Sequence, residues 1–295
     1  MDMMVIGFRN DSKVGGQGLT PTEEEAHFGL WCIMSSPLLI GCNLENMPDS
    51  SLELLTNKEL ISLNQDPLGL QAYVAQHENE GYVLVKDIEQ KRGNVRAVAL
   101  YNPSDTICSF SVPFSSLEFG GNVKVRDLGK HSDLGNFTGT FEQTLPAHSA
   151  MFLRIEGETR LEPTLYEAEL AYLPLFNDLG KNPKRIIYAH DKEASGKMKV
   201  GFLGGQPENY AEWREVYSEN GGRYDMTIHY LYGKGRQIEL DVNGIITKID
   251  SLGEDNGHNQ ITVPVELKAG YNTIRMGNSY NWAPDIACFT LKKVL

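Results

Sequence analysis

Residues 18–44 read GLTPTEEEAHFGLWCIMSSPLLIGCNL, and they place a helix start, a helical apolar face and a short apolar run in direct succession. Thr20, Pro21 and Glu23 have the spacing of a capping box: a threonine to accept an amide from the third helical residue, proline at the first helical position, and a glutamate that reaches back. The pattern predicts a helix through Met34. Phe28, Leu30, Trp31 and Met34 on it fit a core-facing stripe rather than a binding stripe. PLLIGC, residues 37–42, is a continuous apolar run, the mark of a parallel strand buried on both faces. Upstream, the chain opens on MDMMVIG, another apolar run of strand length. Downstream, TNKELISLNQ at 56–65 repeats the capping logic, with Thr56 as cap and Glu59 three residues on. Residues 1–69 are therefore expected to run strand, helix, strand, helix, as in a barrel or a doubly wound sheet.

After Gly69 the hydrophobic period falls to two. YVLVKDI and VRAVALYN flank a polar EQKRGN turn, and VKVRDLG, GTFEQTL and SAMFLRI follow at hairpin spacing. Residues 70–156 therefore read as an antiparallel β-sandwich. The polar stretch 157–164, which ends next to a proline, suits a linker. From 165 to 295 the strands YDMTIHYLY, RQIELDVNG, NQITVPVEL and YNTIRMG, separated by glycine and asparagine turns, predict a second sandwich.

Composition narrows the function classes. The 295 residues are 41% hydrophobic, which is enough for two or three packed cores, and no run approaches the roughly 18 apolar residues of a membrane span. With 39 acidic against 27 basic residues the formal charge is −12. A nucleic-acid partner is not expected, because phosphate binding needs a basic face. Cys32, Cys42, Cys108 and Cys288 lie far apart and form no C-x-x-C pair, so neither a zinc site nor a disulfide framework is indicated. No basic segment followed by an apolar one marks a secretion signal. Glu23, Glu24 and Glu25 in a first helical turn complement the helix dipole and read as structural. His27 has no second histidine one turn away and reads as a partly buried or surface residue, and His131 and His148 fall in β-domain turns.

DMMVIG, then the 18–44 stretch, then NKELISLNQDPLG together resemble the C-terminal end of the catalytic barrel in glycoside hydrolase family 27, the family of α-galactosidases and α-N-acetylgalactosaminidases. VRDLGKHSDLGNFTGTFEQTLPAHSAMFLRI is similar to the small β-sandwich that follows that barrel. The resemblance covers about residues 1–156. It implies a mixed fold: a partial (β/α)8 barrel remnant at 1–69, followed by two antiparallel β-sandwich domains. Barrel enzymes collect catalytic residues from several strand ends over about 250 residues. The family's two catalytic carboxylates belong to strands earlier than anything in this chain, so no residue here is assigned to catalysis. Asp2 and Met3 match the family's last barrel contribution to the sugar subsite, the aspartate accepting hydrogen bonds from the sugar and the methionine packing beside it. Half a barrel exposes strand edges and apolar helix faces, so 1–69 is expected to pack loosely against the β-domain.

The last block opens YEAE at 166–169 and closes NSYNWAPDIACFTL, and it resembles the carbohydrate-binding modules of families 6 and 35. In those modules a structural calcium is held by acidic side chains near the two termini, since a hard cation requires oxygen ligands. Glu167 and Glu169 would share one face of a strand by the period of two, and Asp285 is the nearby late acid. The family's usual late ligand position is Ala287 here. Sugar binding needs aromatic faces with convergent polar groups. Tyr280, Asn281 and Trp282, before the last strand, are the candidates, with Tyr210 and Trp213 as further aromatics and Trp213 open to a core role.

Two functions follow from these resemblances. One is a retaining hydrolase of terminal α-D-galactosyl residues, of which this chain is a part without the catalytic carboxylates. The alternative is a non-catalytic carbohydrate-binding protein. No cofactor is expected for catalysis. The expected partners are α-galactosides or plant or host polysaccharide, with no nucleic acid and no membrane. The longer parent is expected to be secreted or periplasmic.

Overall fold

A computed structural model of the chain describes residues 3–8, 18–42, 44–78, 80–176, 186–250 and 257–294. It divides into two compact units, Met1–Leu161 and Glu162–Leu295. Among the described residues there are three α-helices, and the sheets are antiparallel apart from isolated bridges.

Unit 1 begins with α1 (Pro21–Ile33), α2 (Asp49–Leu55) and α3 (Lys58–Asn64). The capping box predicted for α1 is present: Thr20 accepts the Glu23 amide, and the Glu23 carboxylate accepts the Thr20 amide at 2.8 Å. The cap of α3 is Asn57, not Thr56. Its Oδ1 accepts the amides of Glu59 and Leu60, while Thr56 closes α2 by donating its hydroxyl to Leu52 O. The run 37–42 is not a buried strand. It meets the N-terminal segment at one parallel bridge, Met4 to Ile40, and Leu39 and Ile40 are exposed.

Eight strands follow: β1 (Tyr73–Glu78), β2 (Gly81–Asp87), β3 (Val95–Asn102), β4 (Cys108–Pro113), β5 (Phe119–Asp127), β6 (Ser132–Thr138), β7 (Thr140–Leu145) and β8 (Ser149–Arg160). A six-stranded sheet has the order β1-β2-β3-β8-β5-β6, and β4 pairs with β7. One face of the large sheet packs Val83, Val85, Leu100 and Leu153 against Phe110, Val112 and Phe141 of the small one. The other face packs Ala97, Ala99 and Phe152 against Phe28, Trp31, Ile33, Leu60 and Leu63. Burial on both faces explains why β3 is apolar almost throughout.

The contact at α1 is close because residue 29 is glycine. A Cβ there would lie 2.0 Å from the Phe152 ring. Loose packing of 1–69 is therefore corrected on the helix side, where one core joins helices and sheet. On the side of the Met4–Ile40 bridge, Met3, Val5, Leu39, Ile40 and Leu44 are exposed. Residues 157–160, read as linker, instead continue β8, with Arg160 opposite Phe119 and Thr159 opposite Gly120.

Unit 2 contains β9 (Leu165–Glu167), β10 (Ile187–His190), β11 (Met198–Gly201), β12 (Ala211–Ser218), β13 (Gly222–Leu231), β14 (Ile238–Val242), β15 (Ile245–Ile249), β16 (His258–Leu267), β17 (Gly270–Gly277) and β18 (Asp285–Lys293). One sheet has the order β10-β11-β18-β13-β16 with β9 beside β18, and the other β12-β17-β14-β15. Alternate residues of both sheets, among them Met226, Ile228, Phe289, Leu240, Ile274 and Met276, fill one core.

Candidate functional site

In unit 1 the described segment from Met3 to Phe8 begins with one of the two sugar-subsite candidates, Met3. Asp2 lies outside the described residues. Met3 is 54% exposed, while its neighbours Met4 and Ile6 are buried. The Met4 amide donates to Leu39 O at 2.7 Å, and the Gly41 amide donates to Met4 O at 3.1 Å. The amides that alternate with Met4 are taken by α1. Val5 N donates to His27 Nε2 at 3.1 Å and Gly7 N to Glu24 Oε1 at 2.9 Å.

Glu24, 2% exposed, also accepts the Ser51 hydroxyl on Oε2 at 2.7 Å. The His27 ring lies tilted against Trp31, centroids 4.2 Å apart, and burial pulls its pKa down against the pull of Glu24. Dipole complementation thus describes Glu23, but it misses the brace that Glu24 and His27 form on the segment. The spacing of three, which sets both on one helix face, was the available signal.

In unit 2 the YEAE stretch is not strand throughout. β9 ends at Glu167, and Ala168–Leu170 form a 3-10 turn, so the turn and not alternation brings Glu167 and Glu169 together. Glu167 Oε2 accepts the Ser195 hydroxyl at 2.8 Å and the carboxylate also accepts the Gly196 amide. Glu169 Oε2 is buried with no hydrogen-bond partner among the described residues. A Cβ at Gly196 would sit 2.0 Å from Glu169 Oε1 and 3.3 Å from Glu167 Cδ, so only glycine lets this loop close over both carboxylates. Burial, and then the charge of Glu167, push the Glu169 carboxyl up to about 7.

Asp285 is not brought to this pair. It sits on β18 with its carboxylate 3.0 Å from Lys199 Nζ. The position of the missing late acid, Ala287, packs with Ala194 and Leu231.

The loop before β18 holds its shape through asparagines. Asn278 Oδ1 accepts the amides of Tyr280 and Asn281 at 3.0 Å each, and Asn281 Oδ1 accepts that of Trp282 at 2.8 Å. Tyr280 is 85% exposed. Between this loop and Arg236, Gln237 and Asp250 lies a cavity of about 570 Å³ lined also by Asn278 and Asn281. Tyr210 instead lies under Arg275, 5.0 Å from the ring centre. Trp213 is core, edge-on to Phe289, its Nε1 donating to Glu167 O at 2.9 Å.

Residues 4–66 match the family model described as Alpha galactosidase A, and residues 80–155 the model described as Alpha galactosidase C-terminal beta sandwich domain. The two matches follow one another along the chain and both are to α-galactosidase models. Alpha-galactosidase 3 of Arabidopsis thaliana is 37% identical over 150 residues, covering 50% of this chain and 34% of that protein. Alpha-galactosidase A of Cellvibrio japonicus is 31% identical over 166 residues, 52% of this chain and 38% of that protein. The chain thus spans about a third of the length of these curated relatives. The isomalto-dextranase of Arthrobacter globiformis T6, in its complex with panose, matches with a TM-score of 0.53 at 19% identity, over 98% of this chain and 49% of that one. At that identity the likeness is one of fold alone. Both matched regions lie within unit 1, and the braced residues Val5 and Gly7 fall at the start of the first.

Proposed function

We propose that this chain is part of a retaining exo-α-galactosidase that releases terminal α-D-galactosyl residues, and that unit 1 supplies the end of its (β/α)8 barrel and the sandwich behind it. The observation that carries this reading is the pair of consecutive α-galactosidase matches across 4–66 and 80–155. Retaining hydrolysis needs a nucleophilic carboxylate and an acid–base carboxylate about 5–5.5 Å apart, and these belong to the part of the relatives that this chain does not match. The chain's own contribution would be the last barrel segment that reaches the sugar. Asp2 would accept hydroxyl hydrogen bonds from the sugar and Met3 would pack beside it, on a segment held by the hydrogen bonds that the Val5 and Gly7 amides donate to His27 and Glu24.

A second reading, a carbohydrate-binding role for unit 2 like that of family 6 and 35 modules, is supported by the cavity under Tyr280 and Asn281. Its ligands would be α-galactosides or plant or host polysaccharide, and the parent would work outside the cytoplasm, where such polymers occur. A structural calcium fits Glu167 and Glu169, because two carboxylates meet there and one buried oxygen has no partner. Asp285, already paired with Lys199, is left out of that ligand set.

The test is hydrolysis of an aryl α-galactoside by the 295-residue chain and by the same chain extended to the full length of its relatives. The short chain should be silent and the long one active, since each missing carboxylate is ordinarily worth about 10²-fold or more. Asp2→Ala in the long protein should lower kcat/KM and leave the melting temperature unchanged. Saturable activity from the short chain would place the catalytic pair within these residues and sink the assignment.

A further inference from the structure

Two cavities of unit 2 meet at one side chain. Beside the polar cavity of about 570 Å³ lies a second of about 310 Å³, walled by Phe202, Tyr232 and Trp282, with Arg236 and Asp285 as its polar groups. Arg236 lines both. Each volume falls in the range of about 300–1,000 Å³ usual for small-molecule sites.

Phe202 and Tyr232 reach the aromatic cavity from backbones in the left-handed region, at φ +58° and +59°. Bulky L residues rarely adopt that conformation, and where they are held in it they cluster at ligand clamps and active sites. Here two of them wall a single cavity. Neither ring is used up in the core: both residues are 43% exposed. Phe202 meets Trp282 edge to face at 6.0 Å, and Lys199 Nζ lies 4.4 Å from the centre of the Tyr232 ring. Lys199 also neutralises Asp285, at 3.0 Å.

The partition between the cavities is fixed from both sides. Arg236 Nη1 donates to Ala283 O at 3.0 Å, and Asn278 Nδ2 donates to Gln237 O at 3.2 Å. A guanidinium has five donors in a rigid fork, and beyond the Ala283 carbonyl no side-chain partner of Arg236 occurs among the described residues.

A pyranose ring offers an apolar C–H face to an aromatic wall and hydroxyls around its rim, so the two linings suit adjacent units of one chain. We infer that unit 2 binds a glycan of at least two sugar units across both cavities. One ring packs against Phe202, Tyr232 and Trp282, the next lies among Gln237, Asn278 and Asn281, and Arg236 sits at the linkage as the residue that sets ligand length. The inference rests on the carbohydrate-binding reading of unit 2.

It is tested by calorimetric titration of the 295-residue chain with galactose, melibiose and raffinose, and in parallel with glucose, isomaltose and isomaltotriose. In the series that binds, the two-unit sugar should bind on the order of tenfold more tightly than the monosaccharide. Arg236→Ala should abolish that gain, so that the two-unit sugar binds no more tightly than the monosaccharide. Phe202→Asn, in which asparagine accepts the left-handed backbone, should weaken binding of every sugar in the series while the melting temperature holds.

Equal affinity for one and two units in the wild type, an Arg236→Ala variant that keeps the tenfold gain, or normal binding by Phe202→Asn overturns the inference and leaves the carbohydrate-binding reading in place. Failure of every sugar to bind overturns both.

Discussion

Each unit buries a cluster of charge, and the two clusters are built on opposite plans. In unit 1, Asp87 and Glu118 lie among Arg92, Arg96 and Arg160. Arg160 Nη2 is 2.8 Å from Asp87 and 2.9 Å from Glu118, Arg96 Nε is 3.0 Å from Asp87, and Arg92 Nη1 is 2.6 Å from Glu118. Tyr73 joins them, accepting from Arg96 Nη2 at 2.9 Å and donating to Glu118 at 3.2 Å. In unit 2, Glu167 and Glu169 face each other with one hydroxyl and one amide for support, and a buried oxygen is left unmatched. Burial raises the pKa of a carboxyl. In unit 1 the guanidiniums, Arg96 foremost, outweigh it and hold both carboxyls below their usual range, whereas in unit 2 burial prevails. A compensated cluster is a structural tie. An uncompensated pair of like charges either keeps a proton or takes up a cation.

The contrast breaks first at Arg96. Arg96→Met should cost unit 1 about 3–5 kcal/mol, because it strips a guanidinium from two buried carboxylates. Calorimetric unfolding should show the loss in the unit 1 transition only. A loss below about 1 kcal/mol would mean that Arg92 and Arg160 suffice and the cluster is not a single tie.

Acid probes the same cluster more gently. A carboxylate with a depressed folded pKa contributes stability that is fully present above its unfolded value, about 4, and is lost as pH falls through the folded one. The melting temperature of unit 1 should therefore hold from pH 7 to about 5 and fall below about 4. A flat profile down to about pH 2.5 would contradict the depressed values of Asp87 and Glu118.

The smallest effect belongs to unit 2, where added calcium should raise the melting temperature and chelator lower it. At a hundredfold excess over Kd the gain is about 2.7 kcal/mol. Glu169→Gln should remove the calcium response. If wild type shows no response and carries no metal after purification, the pair is not a cation site, and Ala287, packed with Ala194 and Leu231 where a third acid was expected, is the physical reason.

Which parts of the molecule were legible follows from the range of the forces that make them. The Thr20–Glu23 box and the period-two strands β2, β3, β13 and β16 depend on residues a few positions apart, and they stand where the pattern put them. The α3 cap was misread by one residue because Thr56 and Asn57 are both capping types, and only helix geometry chose between them. The apolar 37–42 run looked buried because composition reports what a strand could bury and says nothing of what covers it. Of the site residues, the sequence marked Tyr280, Asn281 and Trp282 through their place before the last strand. It gave no sign of Phe202, Tyr232 and Arg236, which lie in other turns and join them only in three dimensions.

By itself, then, the sequence determined the α1 start, the strand periodicity of both sandwiches and the family resemblance of the first 156 residues, all matters of local order. The tertiary structure alone decided that α1 and the six-stranded sheet share one core, that Glu24 and His27 hold the amides of residues 5 and 7, and that a 3-10 turn and Gly196 press two glutamates together. Each of these depends on contacts between residues 17 to 123 positions apart, from Gly7–Glu24 to Gly29–Phe152, or on a backbone angle that composition does not encode, and such contacts form only when packing of the whole unit outweighs local preference.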